Sequence, residues 1–214
     1  MSRTLTLLIA LCVLVGAFMI LRSFKGNSEP VSTNDLMLST EQPKGVPEFQ
    51  NWREFSSQAG HFKVMLPRVP QHVTDKITDP KTKEPRKYDT FVAGDENGPA
   101  YMISAITNTK GDNEEASEDT LKQIVNEMLA RNKDNKLNKM ELNRFREFKA
   151  LDFSMTNGEI IIAGKVFSHG DTVYVLSMIN KSKAYNPQEL DFFINSFDVL
   201  NSGVTAPGLI PKKP

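Results

Sequence analysis

Residues 151–179 read LDFSMTNGEIIIAGKVFSHGDTVYVLSMI, and this stretch decides the fold. Leu151, Phe153 and Met155 alternate with polar residues, as in a strand that buries one side. Asn157-Gly158 and residues 168–171 are turn signals, and the segments that follow them are rich in β-branched and aromatic residues. The stretch therefore predicts a three-stranded antiparallel meander.

Further strands are predicted upstream of the meander. Residues 62–66 alternate between apolar and polar side chains, and so does the segment that contains Tyr101, Ile103 and Ala105. Residues 71–78 and 87–92 are two more strand candidates, separated by a charged turn. We expect these two to form a hairpin with a polar tip.

Two segments have helical periodicity instead. The first follows Ser117 as N-cap, and its apolar stripe consists of Leu121, Ile124, Val125, Met128 and Leu129. The second has Asn186 as N-cap, Pro187 at the first helical position and Glu189 in a capping-box position. Its stripe consists of Leu190, Phe193, Ile194 and Phe197. The chain thus predicts an α+β domain at 48–200, with a mainly antiparallel sheet covered by helices.

The N-terminus predicts a membrane anchor. Residues 4–21 carry no formal charge, and a helix rising about 1.5 Å per residue would cross most of a hydrocarbon layer of about 30 Å. A cleaved signal peptide and a buried soluble helix are the alternatives, but the apolar run is long for a signal and has no good cleavage site beyond it. The flanking charges do not decide its orientation.

Residues 22–47 are polar and rich in Ser, Thr, Asn, Glu and Pro, which predicts a flexible linker. Residues 201–214 contain three prolines and two glycines, which predicts a disordered tail. The 26 basic and 26 acidic side chains cancel, so no overall field favours nucleic acid as a partner. The single cysteine, Cys12, lies in the apolar N-terminal run, which leaves no intrachain disulfide.

Residues near both ends of the domain resemble bacterial envelope domains with the PsbP/Mog-like fold. At the start these are Phe55, Ser56, Ser57, Gly60, Phe62, Val64, Leu66, Pro67 and Pro70, followed by Tyr88 and Tyr101. At the end they are Gly164, Lys165, Val166, Phe167, Val173, Tyr174, Val175, Leu176, Phe193, Ile194, Asn195, Ser196 and Phe197. The resemblance covers residues 55–199.

The resemblance implies a sandwich of helices around an antiparallel sheet, in a family whose better-known members are non-enzymatic binding or assembly proteins. PsbP is an extrinsic photosystem subunit, and the eukaryotic Mog protein binds the Ran GTPase. Many bacterial relatives are exported and tethered at the envelope, so the resemblance favours an extracytoplasmic domain at the periplasmic face of a bacterial inner membrane. No binding residue is carried over position by position.

Two basic clusters are the candidate partner-binding surface, because loops and edges of a rigid scaffold often carry recognition. The residues are Lys76, Lys81, Lys83, Arg86 and Lys87 on the early hairpin, and Arg131, Lys133, Arg144 and Arg146 later in the chain. Solvated charged surface is the alternative interpretation. Contact with an acidic partner or an anionic lipid predicts binding that weakens with salt.

No catalytic residue, metal ligand or cofactor is predicted. His61, His72 and His169 are too scattered for a local metal motif, and residues 168–171 resemble a triad in composition only. We therefore expect a membrane-anchored, non-enzymatic module with a protein partner. The alternatives are a carrier of a small or lipophilic ligand in a sheet-helix cleft and an uncharacterised enzyme.

Overall fold

The computed structural model of the protein describes residue 49 and residues 51–78, 85–94, 98–108 and 116–200. Its strands are β1 Arg53–Ser57, β2 Phe62–Leu66, β3 Gln71–Thr78, β4 Pro85–Gly94, β5 Ala100–Asn108, β6 Lys136–Phe145, β7 Phe148–Asn157, β8 Ile160–His169, β9 Thr172–Lys181 and β10 Asp198–Val199. The helices are α1 Glu118–Ala130 and α2 Pro187–Ser196, and a 3-10 turn, Ser182–Ala184, precedes α2.

The predicted anchor at 4–21, linker at 22–47 and tail at 201–214 lie outside the described residues. Neither helix of the described part combines the length and the apolar character needed to span a membrane.

Seven strands form one antiparallel sheet in the order β3-β4-β5-β9-β8-β7-β6. A second sheet has the order β1-β2-β10. The prediction of an α+β fold with a mainly antiparallel sheet is confirmed. The three-stranded second sheet was not predicted, because its pairing of β2 with β10 joins the two ends of the domain.

The predicted meander has four strands rather than three. Asn157-Gly158 and Gly170 make the expected turns, and both glycines have positive φ, 57° and 58°. A further turn joins β6 to β7 at Arg146, a non-glycine residue with φ 55°. Arg146 carries no sequence signal for such a turn, and β6 is mostly exposed, so the alternation that marks the other strands is weak there.

The large sheet buries different residues on its two faces. On the face that we call the front, α2 and the small sheet pack on an aromatic core that includes Phe62, Phe91, Phe167, Tyr174 and Phe197. These five side chains are at most 2 % exposed. The Tyr174 hydroxyl donates to the Gly60 backbone oxygen at 3.0 Å, so the front core also ties the turn after β1 to the large sheet.

On the opposite face, which we call the back, α1 packs on mainly aliphatic residues. Leu121, Ile124 and Val125 of α1 are buried against a cluster that includes Leu151 and Val166. Ser117 caps α1 as predicted, because its side chain accepts a hydrogen bond from the Thr120 backbone N–H at 3.2 Å. The helix and its apolar stripe are therefore as the periodicity indicated.

The cap of α2 differs in one detail from the prediction. Asn186 accepts a hydrogen bond from the Gln188 backbone N–H at 3.0 Å, as an N-cap should. Glu189 accepts a hydrogen bond from the Tyr101 hydroxyl. Burial and the neighbouring Glu189 carboxylate raise the pKa of Tyr101 well above its ordinary value. Glu189 thus fastens α2 to β5.

Candidate functional site

Two recesses lie beside the helices, one on each face of the large sheet. The first, the α1 crevice, lies on the back face between α1 and strands β4, β5, β7, β8 and β9. Its lining consists of Tyr88, Thr90, Met102, Ser104, Ile106, Ile124, Glu127, Met128, Arg131, Asn135, Met155, Ile162, Val175 and Ile179.

The α1 crevice is narrow and apolar inside. It encloses about 60 Å³, well below the roughly 300–1,000 Å³ of sites that surround a whole small ligand. Three methionines, Met102, Met128 and Met155, contribute to its wall. Because methionine is flexible and polarisable, such a wall can adapt to differently shaped apolar groups.

Polar groups of the crevice lie near the C-terminal end of α1. Asn135 donates from Nδ2 to the carbonyl oxygens of Met128 and Leu129, both at 3.2 Å, and so caps the helix. Glu127 accepts a hydrogen bond from Gln123 Nε2 at 2.7 Å. Burial raises the pKa of Tyr88, and the nearby Arg86 offsets this only in part. Tyr88 is therefore neutral at physiological pH, and Arg131 is the cation of the lining.

Ser177 is an unsatisfied polar group of the same face. It is fully buried, and its hydroxyl has no hydrogen-bond partner in the part of the chain that the structure describes. Strand alternation places it on the back face between Val175 and Ile179, which both line the α1 crevice.

The second recess, the α2 cleft, lies on the front face between α2 and strands β6, β7 and β8. It holds about 500 Å³. Its lining consists of Lys139, Asn143, Arg144, Phe145, Arg146, Asp152, Phe153, Ser154, Ile161, Ala163, Gly164, Lys165, Tyr185, Leu190, Asp191, Ile194 and Asn195. It is therefore wider and more polar than the α1 crevice.

An ion pair occupies the floor of the α2 cleft. The Lys165 ammonium donates to Asp152 Oδ1, and Asn143 Nδ2 donates to Asp152 Oδ2 at 2.8 Å. Burial raises the pKa of Asp152, but the hydrogen bonds from Lys165 and Asn143 outweigh it and hold the pKa below its ordinary value. Opposite charges compensate each other here, so the floor attracts neither anions nor cations strongly.

The early basic cluster is divided between the two faces. Lys76 and Lys87 lie opposite each other in the β3–β4 register and share the front face. Arg86 is on the back face by alternation, beside Tyr88. Lys81 and Lys83 lie outside the described residues.

The later basic residues are dispersed as well. Arg131 lines the α1 crevice, and Lys133 is exposed in the turn after α1. Arg144 lines the α2 cleft. Arg146 donates to Asp198 and to the Phe197 carbonyl oxygen, so it ties the β6–β7 turn to the segment after α2.

The structure separates most members of the two clusters, although Arg86 and Arg131 both lie near Tyr88 of the α1 crevice. Five strand intervals separate β4 from β6, or about 24 Å at about 4.8 Å per interval. Arg131 and Arg144 therefore belong to different recesses rather than to one continuous basic surface.

A polar cluster on β3 and β4 was missed from the sequence. Asp89 is buried on the front face, where it accepts hydrogen bonds from Thr74 Oγ1 at 2.6 Å and Lys87 Nζ at 2.8 Å and contacts His72 Nε2 at 3.0 Å. The His72 ring also stacks on Phe91. The only signal would have been the strand register, which places Thr74 opposite Asp89. Lys87 is thus engaged within the domain.

The residues that resembled a triad have separate partners. Ser168 Oγ accepts from the Ala116 backbone N–H at 3.0 Å, Asp171 accepts from the Thr172 hydroxyl at 3.1 Å, and His169 packs edge-on against Phe148. Within the described ranges, no three His, Cys, Asp or Glu side chains are grouped as metal ligands would be.

Comparison with known proteins adds no relative. The chain matches no model of a protein family, and no curated protein matches it. The resemblance to PsbP/Mog-like domains therefore stays a prediction that rests on the residues quoted above.

Proposed function

We propose that this protein is a non-enzymatic binding or assembly module that is anchored in a membrane and uses the α1 crevice to hold a partner protein. The observation that carries the proposal is an apolar, methionine-lined crevice with one cation, Arg131, and one anion, Glu127, in its lining, beside a sheet face that α1 covers only in part. Apolar anchors in a pocket with charge at its edge are typical of protein recognition sites.

The size of the crevice favours a side chain as its occupant. A space of about 60 Å³ admits part of one apolar side chain but not an entire lipid or cofactor. Arg131 would pair with a carboxylate of the partner next to that side chain. The partner is therefore expected to present an apolar residue beside an acidic one.

The membrane anchor and the location rest on the sequence. Residues 4–21 would cross the membrane, and residues 22–47 would hold the domain at its surface. The likeness to PsbP/Mog-like envelope domains supports the periplasmic side of a bacterial inner membrane. We expect protease to digest the domain only after the outer boundary of the cell is permeabilised. The undigested protein should have the mass of the full-length chain. Protection until the inner membrane is broken would place the domain in the cytoplasm.

Affinity capture of the full chain from detergent-solubilised membranes tests the binding proposal. We expect a stoichiometric partner that is lost with Arg131→Glu and retained with Lys183→Glu, an exposed position outside the crevice with the same change of charge. Recovery should fall as salt is raised, because ionic contacts at the surface are screened. Equal recovery by both variants, or no partner with the wild-type chain, would contradict the proposal.

A second candidate function is transport of a small lipophilic ligand, because the inner wall of the crevice is apolar and its methionines can rearrange. Mass spectrometry of solvent extracts from the purified full chain tests it. A lipophilic compound at near-equal molar amount, displaced when Met128→Trp fills the crevice, would favour a carrier over a protein-binding module.

A further inference from the structure

Strand β3 forms one edge of the large sheet, and among the described residues it pairs with β4 alone. Its eight residues are all exposed or half-exposed, and its register with β4 is regular from end to end. The other edge, β6, differs because its register shifts between Leu137 and Lys139. Since bulges disrupt pairing at an edge, β3 is the edge better suited to accept another strand.

The backbone groups of β3 indicate which residues would pair. The Lys76 backbone N–H donates to the exposed Asp75 carboxylate at 2.8 Å, so it points away from β4. Backbone groups alternate in direction along a strand. The outward groups are therefore those of His72, Thr74, Lys76 and Thr78.

The side chains of β3 form two different rows. Val73 and Ile77 lie on the back face together with Gln71 and Asp75; Val73 is 52 % exposed and is opposite Thr90, a residue of the α1 crevice. His72, Thr74 and Lys76 lie on the front face. No carboxylate of the described residues pairs with the Lys76 ammonium. The edge thus presents two apolar side chains beside Asp75 on its back side and the Lys76 ammonium on its front side.

A second copy of this chain is a poor occupant. In the two registers centred on Asp75 and on Lys76, two β3 strands related by a two-fold axis would place Asp75 opposite Asp75 or Lys76 opposite Lys76. Like charges directly opposite each other destabilise a strand pair. A partner with complementary charge is required.

We propose that the outer edge of β3 binds an extended segment of a partner protein by strand addition, and that apolar residues of this segment alternate with acidic ones. The inference rests on the proposed function and names the form of the partner. The apolar row would extend the back face over Val73 towards the α1 crevice, and the acidic row would face Lys76. Main-chain hydrogen bonds would supply affinity, and the alternating side chains would supply specificity.

Panning a random dodecapeptide display library on the full chain in detergent micelles tests the inference. We expect enriched peptides in which apolar and acidic residues alternate with period two. Their affinity should fall about threefold to tenfold for Lys76→Pro, which removes an outward N–H. Lys76→Ala, which keeps the N–H, is the matched variant and should lose only the contribution of the charge.

Edge strands accept proline where the N–H faces solvent, and the thermal unfolding midpoint of Lys76→Pro checks the fold. If that variant does not fold, Thr78→Pro removes the next outward N–H. Peptides that lack the alternation, or that bind the proline variant as tightly as the wild type, would overturn the inference. If only Arg131→Glu weakened peptide binding, strand addition would be overturned and the α1 crevice would remain as the binding site. A library without enriched peptides would count against both strand addition and the proposed binding function.

Discussion

The front and back faces of the large sheet are covered in different ways. On the front, α2 and the three-stranded sheet pack against ring systems that contact one another, such as Phe167, Tyr174 and Phe197. On the back, one helix packs on mainly aliphatic and methionine side chains, with Phe153 among them, and leaves the α1 crevice beside it.

The widths of the sheet and of a helix account for the different covering of the two faces. Seven strands have six intervals of about 4.8 Å, so the sheet is about 29 Å wide, whereas a helix with its side chains is about 10 Å across. A single helix cannot cover that width. We infer that the front face supplies most of the stability and that the back face is available for recognition. The following predictions test this division, beginning with the largest effect.

Phe197→Ala should cost the most stability. Phe197 is fully buried at the centre of the front core, between the rings of Phe62, Phe167 and Tyr174. Truncation leaves a large cavity and should lower the free energy of unfolding by about 3–5 kcal/mol. Urea unfolding measures it. Phe192→Ala, at a partly buried ring of α2, is the control and should cost clearly less. Equal losses would contradict a centre at Phe197.

Gly164→Ala tests how closely β8 and β9 approach each other within the large sheet. A Cβ at Gly164 would lie 2.0 Å from the Leu176 backbone oxygen, which a flexible side chain cannot relieve. The strands must shift, at a cost of about 1–3 kcal/mol. Gly158→Ala, in an open turn with φ 57°, should cost about 1 kcal/mol, because a side chain is disfavoured in the left-handed region. If urea unfolding showed a larger loss of stability for Gly158→Ala than for Gly164→Ala, the close approach of β8 and β9 would be refuted.

Asp89→Asn tests how much the polar cluster of β3 and β4 on the front face contributes to the pH dependence of stability. Burial raises the pKa of Asp89, but hydrogen bonds from Lys87, Thr74 and His72 outweigh it and hold the pKa below the ordinary value of 3.8. A carboxyl group with a lowered pKa in the folded state stabilises the protein above pH 3.8, and this stabilisation is lost as the pH falls through the lowered value.

The variant should lose about 2 kcal/mol at neutral pH, since hydrogen bonds to a charged group are removed. Its stability should then depend less on pH below 4 than that of the wild type. Urea unfolding across this pH range measures both effects. If the unfolding free energies of the variant and the wild type changed equally with pH, ionisation of Asp89 would not contribute to the pH dependence of stability.

Ser177→Ala should have the smallest effect and the opposite sign. The buried hydroxyl has no partner among the described residues, so its removal relieves an uncompensated desolvation cost. We expect the unfolding free energy to rise by up to about 1 kcal/mol. Thr172→Ala is the control, because its hydroxyl donates to Asp171 at 3.1 Å, and it should be destabilising. A loss of stability with Ser177→Ala would reveal a hydrogen bond to that hydroxyl.

Local patterns predicted much of the fold. The alternation of Leu151, Phe153 and Met155, the Asn157-Gly158 turn and the Asn186-Pro187 cap all correspond to observed elements. The patterns did not indicate β6 as a separate strand, because an exposed edge strand has little apolar alternation. β1 and β10 were also missed, since each is short and becomes a strand by pairing with β2.

The candidate site was predicted only in part. Arg131 was among the proposed binding residues and does line the α1 crevice. The apolar wall of that crevice was not predicted, because Thr90, Met128 and Ile162 come from segments far apart in the chain. The Asp89 cluster was missed for the same reason, since it depends on the register between β3 and β4.

By itself, the sequence determined the helices, most of the strands and the α+β class, because periodicity, caps and turns are properties of neighbouring residues. Only the tertiary structure decided which side chains share a face and which basic residues lie together. The reason is that strands such as β5 and β9 pair across about half of the described domain. The register that places one side chain beside another depends on these long-range contacts rather than on any local pattern.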